Sequence, residues 1–161
     1  MVVVRLIILS LLLASVVWLP AATPGSKAKP RPRDTVKVSK AHEKYIEGAL
    51  AYLASKQNRD GSWGESSEER RHPVAITAYT LIAFQAAGNL PEEGPHGKVV
   101  KKGMDYLLNQ IGPDGIYGGR ASGQYMYAHG IATISLAELY GQTQSPAIRD
   151  KLDRAIKLII A

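Results

Sequence analysis

The stretch QNRDGSWG, residues 57–64, has the composition of a helix end followed by a tight turn and a large aromatic residue. A related stretch, IGPDGIYG, occupies residues 111–118, so that Gly115 follows Gly61 by 54 positions without a gap. An Asp-Gly pair supplies an acceptor for N–H groups of the turn and a residue that tolerates positive φ, and the aromatic ring can cover the helix end. We therefore predict one structural loop built twice, from Gln57, Asp60, Gly61, Trp63, Asp114, Gly115 and Tyr117.

Helical patterns lie on both sides of the first loop. Before it, apolar residues recur at helical spacing at Ile46, Leu50 and Leu53. After it, residues 73–87 begin with Pro, end at Gly88 and are apolar nearly all round. A helix of that composition is predicted to be buried on both sides.

The same order of helices recurs along the chain. A helix like the first is predicted over residues 99–108, an apolar helix follows and closes on Gly141, and another helix begins near residue 149. A period of about 50 residues indicates a helical array, because one hairpin alone cannot bury its apolar helix. We predict an all-α domain over residues 41–161, an incomplete α/α toroid of about two and a half hairpins with repeats at about 45–88, 98–141 and a truncated 149–161.

The first forty residues carry a different pattern. Residues 1–22 contain one early cation, a long apolar run and small residues, which is typical of a cleaved export signal; an uncleaved membrane anchor is the alternative. Residues 23–40 are rich in Pro, Lys and Arg and predict an extended basic linker. We expect an exported protein, periplasmic, in the cell envelope or secreted, that meets a membrane only through these two segments.

Charge and cysteine content exclude several classes of function. The formal net charge is +6, but Lys and Arg balance Asp and Glu from residue 45 onward, so no nucleic-acid-binding face is expected. The chain has no cysteine, which excludes disulfides, thiolate catalysis and cysteine metal sites. Its four histidines have no i, i+4 spacing, so no metal and no cofactor is predicted.

The first loop and the helix before it resemble a known repeat. The pattern G-x3-YL-x3-Q-x3-GSW, from Gly48 to Trp63, resembles the glutamine-tryptophan repeat of squalene and hopene cyclases. The second copy has Ile111 where the glutamine would align, and the third keeps only RA-x2-LI at residues 154–159. From about residue 45 onward the chain thus resembles the superfamily of terpene cyclase and protein prenyltransferase α/α toroids, which implies the toroid fold.

The resemblance implies two chemistries, and this chain lacks the residues for both. Terpene cyclases of this fold use an acid in an Asp-x-Asp-Asp motif, and the 161 residues contain no such run. Protein prenyltransferases hold zinc with Asp, Cys and His, and a chain without cysteine cannot build that site. Whether the chain is an enzyme therefore stays open.

Residues near the predicted starts of the inner helices are the candidates for ligand contacts at the mouth of the ring. A helix N-terminus favours anions. If the ring binds a diphosphate or carboxylate, Arg120 and His129 are the expected contacts, and the tyrosines are expected to line an apolar pocket. The alternatives are that His129 caps or hydrogen-bonds a neighbouring helix and that Arg120 pairs with a loop carboxylate. The candidate cavity-mouth residues are His72, Arg120, Tyr125, Tyr127 and His129.

Other polar residues receive structural interpretations. Hydroxyls inside the apolar helices are expected to bond back to their own helix. The acid pairs 68–69 and 92–93 lie in loops with no partner at a useful spacing and are expected to be solvated. The hydroxyl residues in question are Thr77, Thr80 and Thr133.

Three functions remain open at this stage. The first is a binding or scaffold toroid whose apolar inner cavity holds an apolar or isoprenoid ligand, or a polymer. The second is an isoprenoid cyclase or prenyltransferase-like enzyme whose acid lies in a missing C-terminal part, since the chain ends inside a helix and is interpreted as an N-terminal fragment. The third is a polysaccharide-active toroid enzyme. An open ring would expose apolar flanks at Ile131, Ile134, Leu136 and Leu139.

Overall fold

The computed structural model describes residues 38–118 and 125–160. The signal segment, most of the linker and Arg120 lie outside these residues. Within the described ranges there is no β-strand, only isolated bridges, and the all-α prediction is confirmed. The helices are α1 (Lys40–Ser55), α2 (Pro73–Ala86), α3 (Gly97–Gln110), α4 (Tyr125–Thr143) and α5 (Pro146–Ile160), with a short 3-10 helix at Glu69–Arg71.

The helices form two layers. The most extensive contact joins α2 and α4, while α3 packs on α2, α5 packs on α4, and α1 touches α2 over a smaller area. The two apolar helices are therefore the inner layer, and α1, α3 and α5 are the outer layer. This arrangement is compatible with a partial α/α toroid.

The outer helices bury one face each. On α3 the buried side chains include Val100, Met104 and Leu107, and on α5 they include Ile148 and Leu152. This i, i+4, i+7 spacing turns one stripe towards the inner helices and leaves the charged residues in water. No helix among the described residues is long and apolar enough to cross a bilayer.

One close crossing explains a small residue in α3. Gly103 is buried where α3 meets α2, and a Cβ built on it would lie 2.8 Å from Cδ2 of Leu81 and 2.9 Å from Cζ3 of Trp63. Distances of this kind are shorter than any carbon–carbon contact in a packed core. Glycine therefore lets α3 approach the core of the first hairpin.

The prediction that residues 73–87 are buried on both sides is wrong. Tyr79 is 46% exposed, and Ala83 and Ala86, which follow at helical spacing, are exposed as well. Helices α1, α3 and α4 pack on other parts of α2. An apolar composition alone does not say which face of a helix lacks a neighbour.

The predicted apolar flank of α4 needs a similar correction. Ile134 is 53% exposed and Ile131 is half-buried, but Leu136 and Leu139 are completely buried. Both leucines belong to the same core cluster as Phe84 of α2. The open side of α4 is thus narrower than the sequence suggested.

The two inner helices end differently. Helix α2 ends at Ala86 and Gly88 has φ of 79°, as a glycine after a helix predicts. Helix α4 continues through Gly141 to Thr143, and Gln144 takes the positive φ, 52°. The prediction that α4 closes on Gly141 is therefore wrong, since a single glycine can be tolerated inside a helix.

Candidate functional site

The first loop is held by a dense set of hydrogen bonds. Oδ1 of Asp60 accepts bonds from the backbone N–H of Ser62 at 3.0 Å and from its hydroxyl at 2.7 Å. Gly61 has φ of 92°, in the left-handed region. The amide of Gln57 donates to the carbonyl of Gly61 at 3.1 Å and to that of Val99 at 2.9 Å, which ties the loop to α3.

Trp63 anchors the same loop to the first hairpin. Its ring is 3% exposed, and Nε1 donates to the carbonyl of Leu53 at 2.7 Å, near the end of α1. Its backbone N–H donates to Oγ1 of Thr77 at 3.0 Å. Thr77 therefore has a partner outside its own helix, which the sequence did not predict, whereas Thr80 and Thr133 bond back to carbonyls four residues earlier at 2.9 and 2.8 Å.

The second loop repeats the turn. Oδ1 of Asp114 accepts from the N–H of Ile116 at 3.2 Å, and Gly115 has φ of 81°. A Cβ on Gly115 would lie 2.9 Å from the carbonyl of Arg154 in α5, just as one on Gly61 would lie 2.3 Å from that of Lys102 in α3. Each loop thus packs against the next outer helix, which makes the loops connections between repeats.

A group of buried polar atoms lies around the second loop. Tyr117 and His129 are completely buried, with their ring centroids 5.7 Å apart. The hydroxyl of Tyr117, Nδ1 of His129 and Nε of Arg154 have no hydrogen-bond partner. Burial raises the pKa of Tyr117 well above its usual range, although the positive charge of Arg154 opposes this shift.

His129 does not lie at the mouth of a cavity. It is packed between α4 and α5, where Nε2 lies 3.1 Å from the carbonyl of Ala155. Burial lowers the pKa of His129, and the hydrogen bond to Ala155 works in the opposite direction. This geometry corresponds to the structural alternative, in which the histidine bonds a neighbouring helix.

The other described cavity-mouth candidates lie in two different places. His72 and Tyr125 both line a small pocket of about 90 Å³, together with Tyr117 and the start of α2. Tyr127 instead extends to α2, where its hydroxyl lies 2.9 Å from that of Tyr79. Arg120 falls outside the described residues.

A continuous apolar surface runs along the open side of the two inner helices. The hydrogen bond between the hydroxyls of Tyr79 and Tyr127 spans it and raises the pKa of Tyr79. The sequence did not single out Tyr79, although its spacing with Ala83 and Ala86 marks one helix face. We call this surface the inner face and define it by Tyr79, Ile82, Ala83, Ala86, Tyr127, Ile131 and Ile134.

A groove of about 290 Å³ lies at the end of the inner face, where α2 and α4 both approach their last turns. It is lined by three apolar residues of the inner face and by Gln85, Glu138 and Gln142. None of these three polar residues was a candidate from the sequence. In the sequence of a largely apolar helix, a single Gln or Glu does not indicate which way its side chain points.

The acidic residues in the loops do not form a metal or catalytic cluster. Among residues 38–118 and 125–160, no three His, Asp or Glu side chains are grouped closely enough to hold a metal ion. Glu68 and Glu69 are exposed, as are Glu92 and Glu93, which confirms the prediction that both acid pairs are solvated. Glu68 pairs with Arg71 at 3.3 Å, and Glu69 accepts bonds from the N–H groups of Glu65 and Ser66, both at 2.8 Å.

Comparison with known proteins finds distant relatives that share short segments with this chain. Drimenyl diphosphate synthase of Streptomyces showdoensis is 38% identical over 74 residues, which is 46% of this chain and 13% of that enzyme. The enzyme of the same name from Streptantibioticus cattleyicolor is 38% identical over 72 residues, 45% of this chain and 12% of its own. Thioester-containing protein 1 allele R1 of Anopheles gambiae is 37% identical over 75 residues, 42% of this chain and 6% of that protein.

These matches define how far the likeness extends. No family model matches the chain, and no solved structure matches it at a significant level. The chain spans about an eighth of the length of the two synthases it matches. The chain is therefore distantly similar to a terpene-cyclase-like enzyme over less than half of its residues, which agrees in part with the resemblance drawn from its loops.

Proposed function

We propose that this chain is an isoprenoid-binding module and that the hydrocarbon lies along the inner face. The observation that carries the proposal is the exposure of large apolar side chains there: Tyr79 is 46%, Tyr127 58% and Ile134 53% exposed. None of the seven residues that define the face is charged. A branched hydrocarbon would remove them from water, which is favourable in proportion to the apolar area buried.

The relatives support an isoprenoid over other apolar ligands. Two of the three proteins reported above are drimenyl diphosphate synthases. The proposed ligand class follows from the names of these two enzymes. The proposed place of binding follows from the exposure of the inner face.

Binding of farnesol to isotope-labelled protein tests this proposal. We expect changes in the amide resonances of residues 79–86 and 127–134, and loss of binding in Ile134→Glu, because a carboxylate would be placed against the hydrocarbon. Ile46→Glu is the matched control, since Ile46 is 46% exposed on α1 and lies outside the inner face. Equal loss of binding in both variants, or resonance changes confined to α1 and α5, would contradict the proposal.

A catalytic role is the second candidate, favoured by the same two relatives. The 161 residues contain no Asp-x-Asp-Asp run, so binding is the role that their own side chains support. Incubation with farnesyl diphosphate, followed by phosphatase treatment and gas chromatography of the extracted alcohols and hydrocarbons, separates the two functions. We expect only farnesol, released from unchanged substrate, and a cyclised product would favour the enzyme.

A polymer is the remaining ligand class predicted from the sequence. The pair of exposed tyrosines, Tyr79 and Tyr127, has its ring centroids 6.3 Å apart and could stack on a sugar ring. Titration with a soluble oligosaccharide such as cellohexaose, under the conditions used for farnesol, compares the two ligands. If the oligosaccharide changes the amide resonances and farnesol does not, the ligand is a polysaccharide and not an isoprenoid.

Export is a further part of the proposal. It rests on the apolar run and small residues within residues 1–22. A fusion of residues 1–40 to alkaline phosphatase, which is active only outside the bacterial cytoplasm, should be active. Leu12→Arg breaks the apolar run and should abolish that activity, whereas equal activity of both fusions would contradict export.

A further inference from the structure

Gln85, one of the residues that line the groove at the end of the inner face, has a buried acceptor that lacks a donor. Gln85 is 7% exposed, and Nε2 donates to the hydroxyl of Ser135 at 3.2 Å and to its carbonyl at 3.4 Å. A carbonyl can only accept, so the nitrogen must face Ser135 and Oε1 must lie on the other side of the amide. Oε1 is buried and has no hydrogen-bond partner, which is a costly state for a polar atom.

The charge around the groove selects against an anion. Glu138 and Gln142 complete the polar lining, and no Lys, Arg or His is among the described residues that line the groove. Helix α2 ends at Ala86, beside this groove, and the carbonyl end of a helix carries partial negative charge. A carboxylate, an unpaired carbonyl oxygen and a helix C-terminus all favour a group that donates hydrogen bonds.

We propose that this groove binds the polar end of an isoprenoid ligand and that this end is a hydrogen-bond donor, a hydroxyl or a protonated amine, and not a diphosphate. The inference rests on the proposed function, since the hydrocarbon would continue along the inner face. Ile82, Ala86 and Ile134 line the groove and also belong to the inner face, so one ligand can contact both. A protonated amine would donate to Oε1 of Gln85 and to the carboxylate of Glu138, whereas a hydroxyl, which has one hydrogen, would donate to Oε1 of Gln85.

Calorimetric titration of the whole chain with geraniol, geranylamine and geranyl diphosphate tests the choice of head group. The three probes share one hydrocarbon, so they differ only at the polar end. We expect geraniol and geranylamine to bind at least roughly tenfold more tightly than geranyl diphosphate, because the diphosphate would lie beside Glu138. Equal or tighter binding of the diphosphate would overturn the inference and leave the proposed function in place; binding of none of the three would overturn the proposed function itself.

Two variants test whether the preference for a hydrogen-bond donor comes from the groove. Glu138→Gln should weaken geranylamine roughly two- to fivefold, the range of an exposed ion pair, and leave geraniol unchanged. Glu43→Gln is the control, because Glu43 is an exposed glutamate on α1 outside the groove. The same change in both variants would overturn the inference.

The acceptor has its own test. Gln85→Met keeps the length of the side chain and removes the amide, so geraniol and geranylamine should both weaken about three- to tenfold. Circular dichroism during heating reports whether the variant is folded, and if it is not, Glu138→Gln decides the question. A folded Gln85→Met protein that binds geraniol as tightly as the natural chain would overturn the inference.

Discussion

The two Asp-Gly loops have the same turn but differ in the bonds that hold them in place. In the first, Gln57 joins the loop to α3 and Trp63 joins it to α1, through bonds of 2.9 and 2.7 Å. In the second, Ile111 has no side-chain amide to donate, and Tyr117 has a hydroxyl with no partner. The turn therefore depends on Asp and Gly, whereas the bonds from the loop to neighbouring helices depend on which residues occupy the glutamine and tryptophan positions.

The largest effect should come from the glycines that both loops share. Gly61→Ala places a Cβ 2.3 Å from the carbonyl of Lys102 at φ of 92°, and Gly115→Ala places one 2.9 Å from that of Arg154 at φ of 81°. Strain at positive φ and the forced separation of the loop from α3 should lower the free energy of unfolding by about 3 kcal/mol or more for Gly61→Ala. Gly115→Ala should cost less, because its contact is longer.

Urea unfolding followed by circular dichroism measures both variants. Gly48→Ala is the control, since nothing lies within 4 Å of a Cβ at that position on α1. It should be neutral or slightly stabilising, because alanine favours a helix. A larger loss for Gly115→Ala than for Gly61→Ala would show that the second loop, and not the first, is the tighter connection.

A smaller effect should come from the residue that distinguishes the loops. Gln57→Leu removes two hydrogen bonds of a half-buried amide, so the free energy of unfolding should fall by about 1–2 kcal/mol. Ile111→Leu, at the matching position of the second loop, changes only the branching of an apolar side chain. Equal destabilisation by both substitutions in urea unfolding would mean that the side-chain amide of Gln57 does not stabilise the contact between the loop and α3.

The contrast between the loops also explains what the sequence could predict. The turns follow from neighbouring residues, so the positions of Asp60 and Gly61 were enough to find them. The burial of His129 and the open side of α2 at Tyr79 depend on helices that are distant in sequence. Gln144 ends α4 by taking a conformation that is rare for a residue with a side chain, and local propensity would have placed that end at a glycine.

The stability of the packing around the second loop should depend on pH through His129. Burial lowers the pKa of His129 in the folded chain, so the unfolded chain binds the proton more tightly. The stability from this residue is complete above its unfolded pKa, about 6.5, and is lost as the pH falls below that value towards the folded pKa. In His129→Gln, urea unfolding between pH 5 and about 8 should show a smaller loss at acid pH than in the natural chain; the same pH dependence in both would exclude His129 as its source.

The smallest expected change in the free energy of unfolding is a stabilisation, in contrast to the losses expected above. Tyr117→Phe removes a buried hydroxyl that has no partner and leaves the ring against His129, so the free energy of unfolding should stay equal or rise by up to about 1 kcal/mol. Tyr106→Phe is the control in urea unfolding. Tyr106, on α3, is buried like Tyr117, but its hydroxyl is not among the buried polar atoms that lack a hydrogen-bond partner. That substitution should be neutral or destabilising. A clear loss of stability in Tyr117→Phe would mean that the hydroxyl has a hydrogen-bond partner in solution.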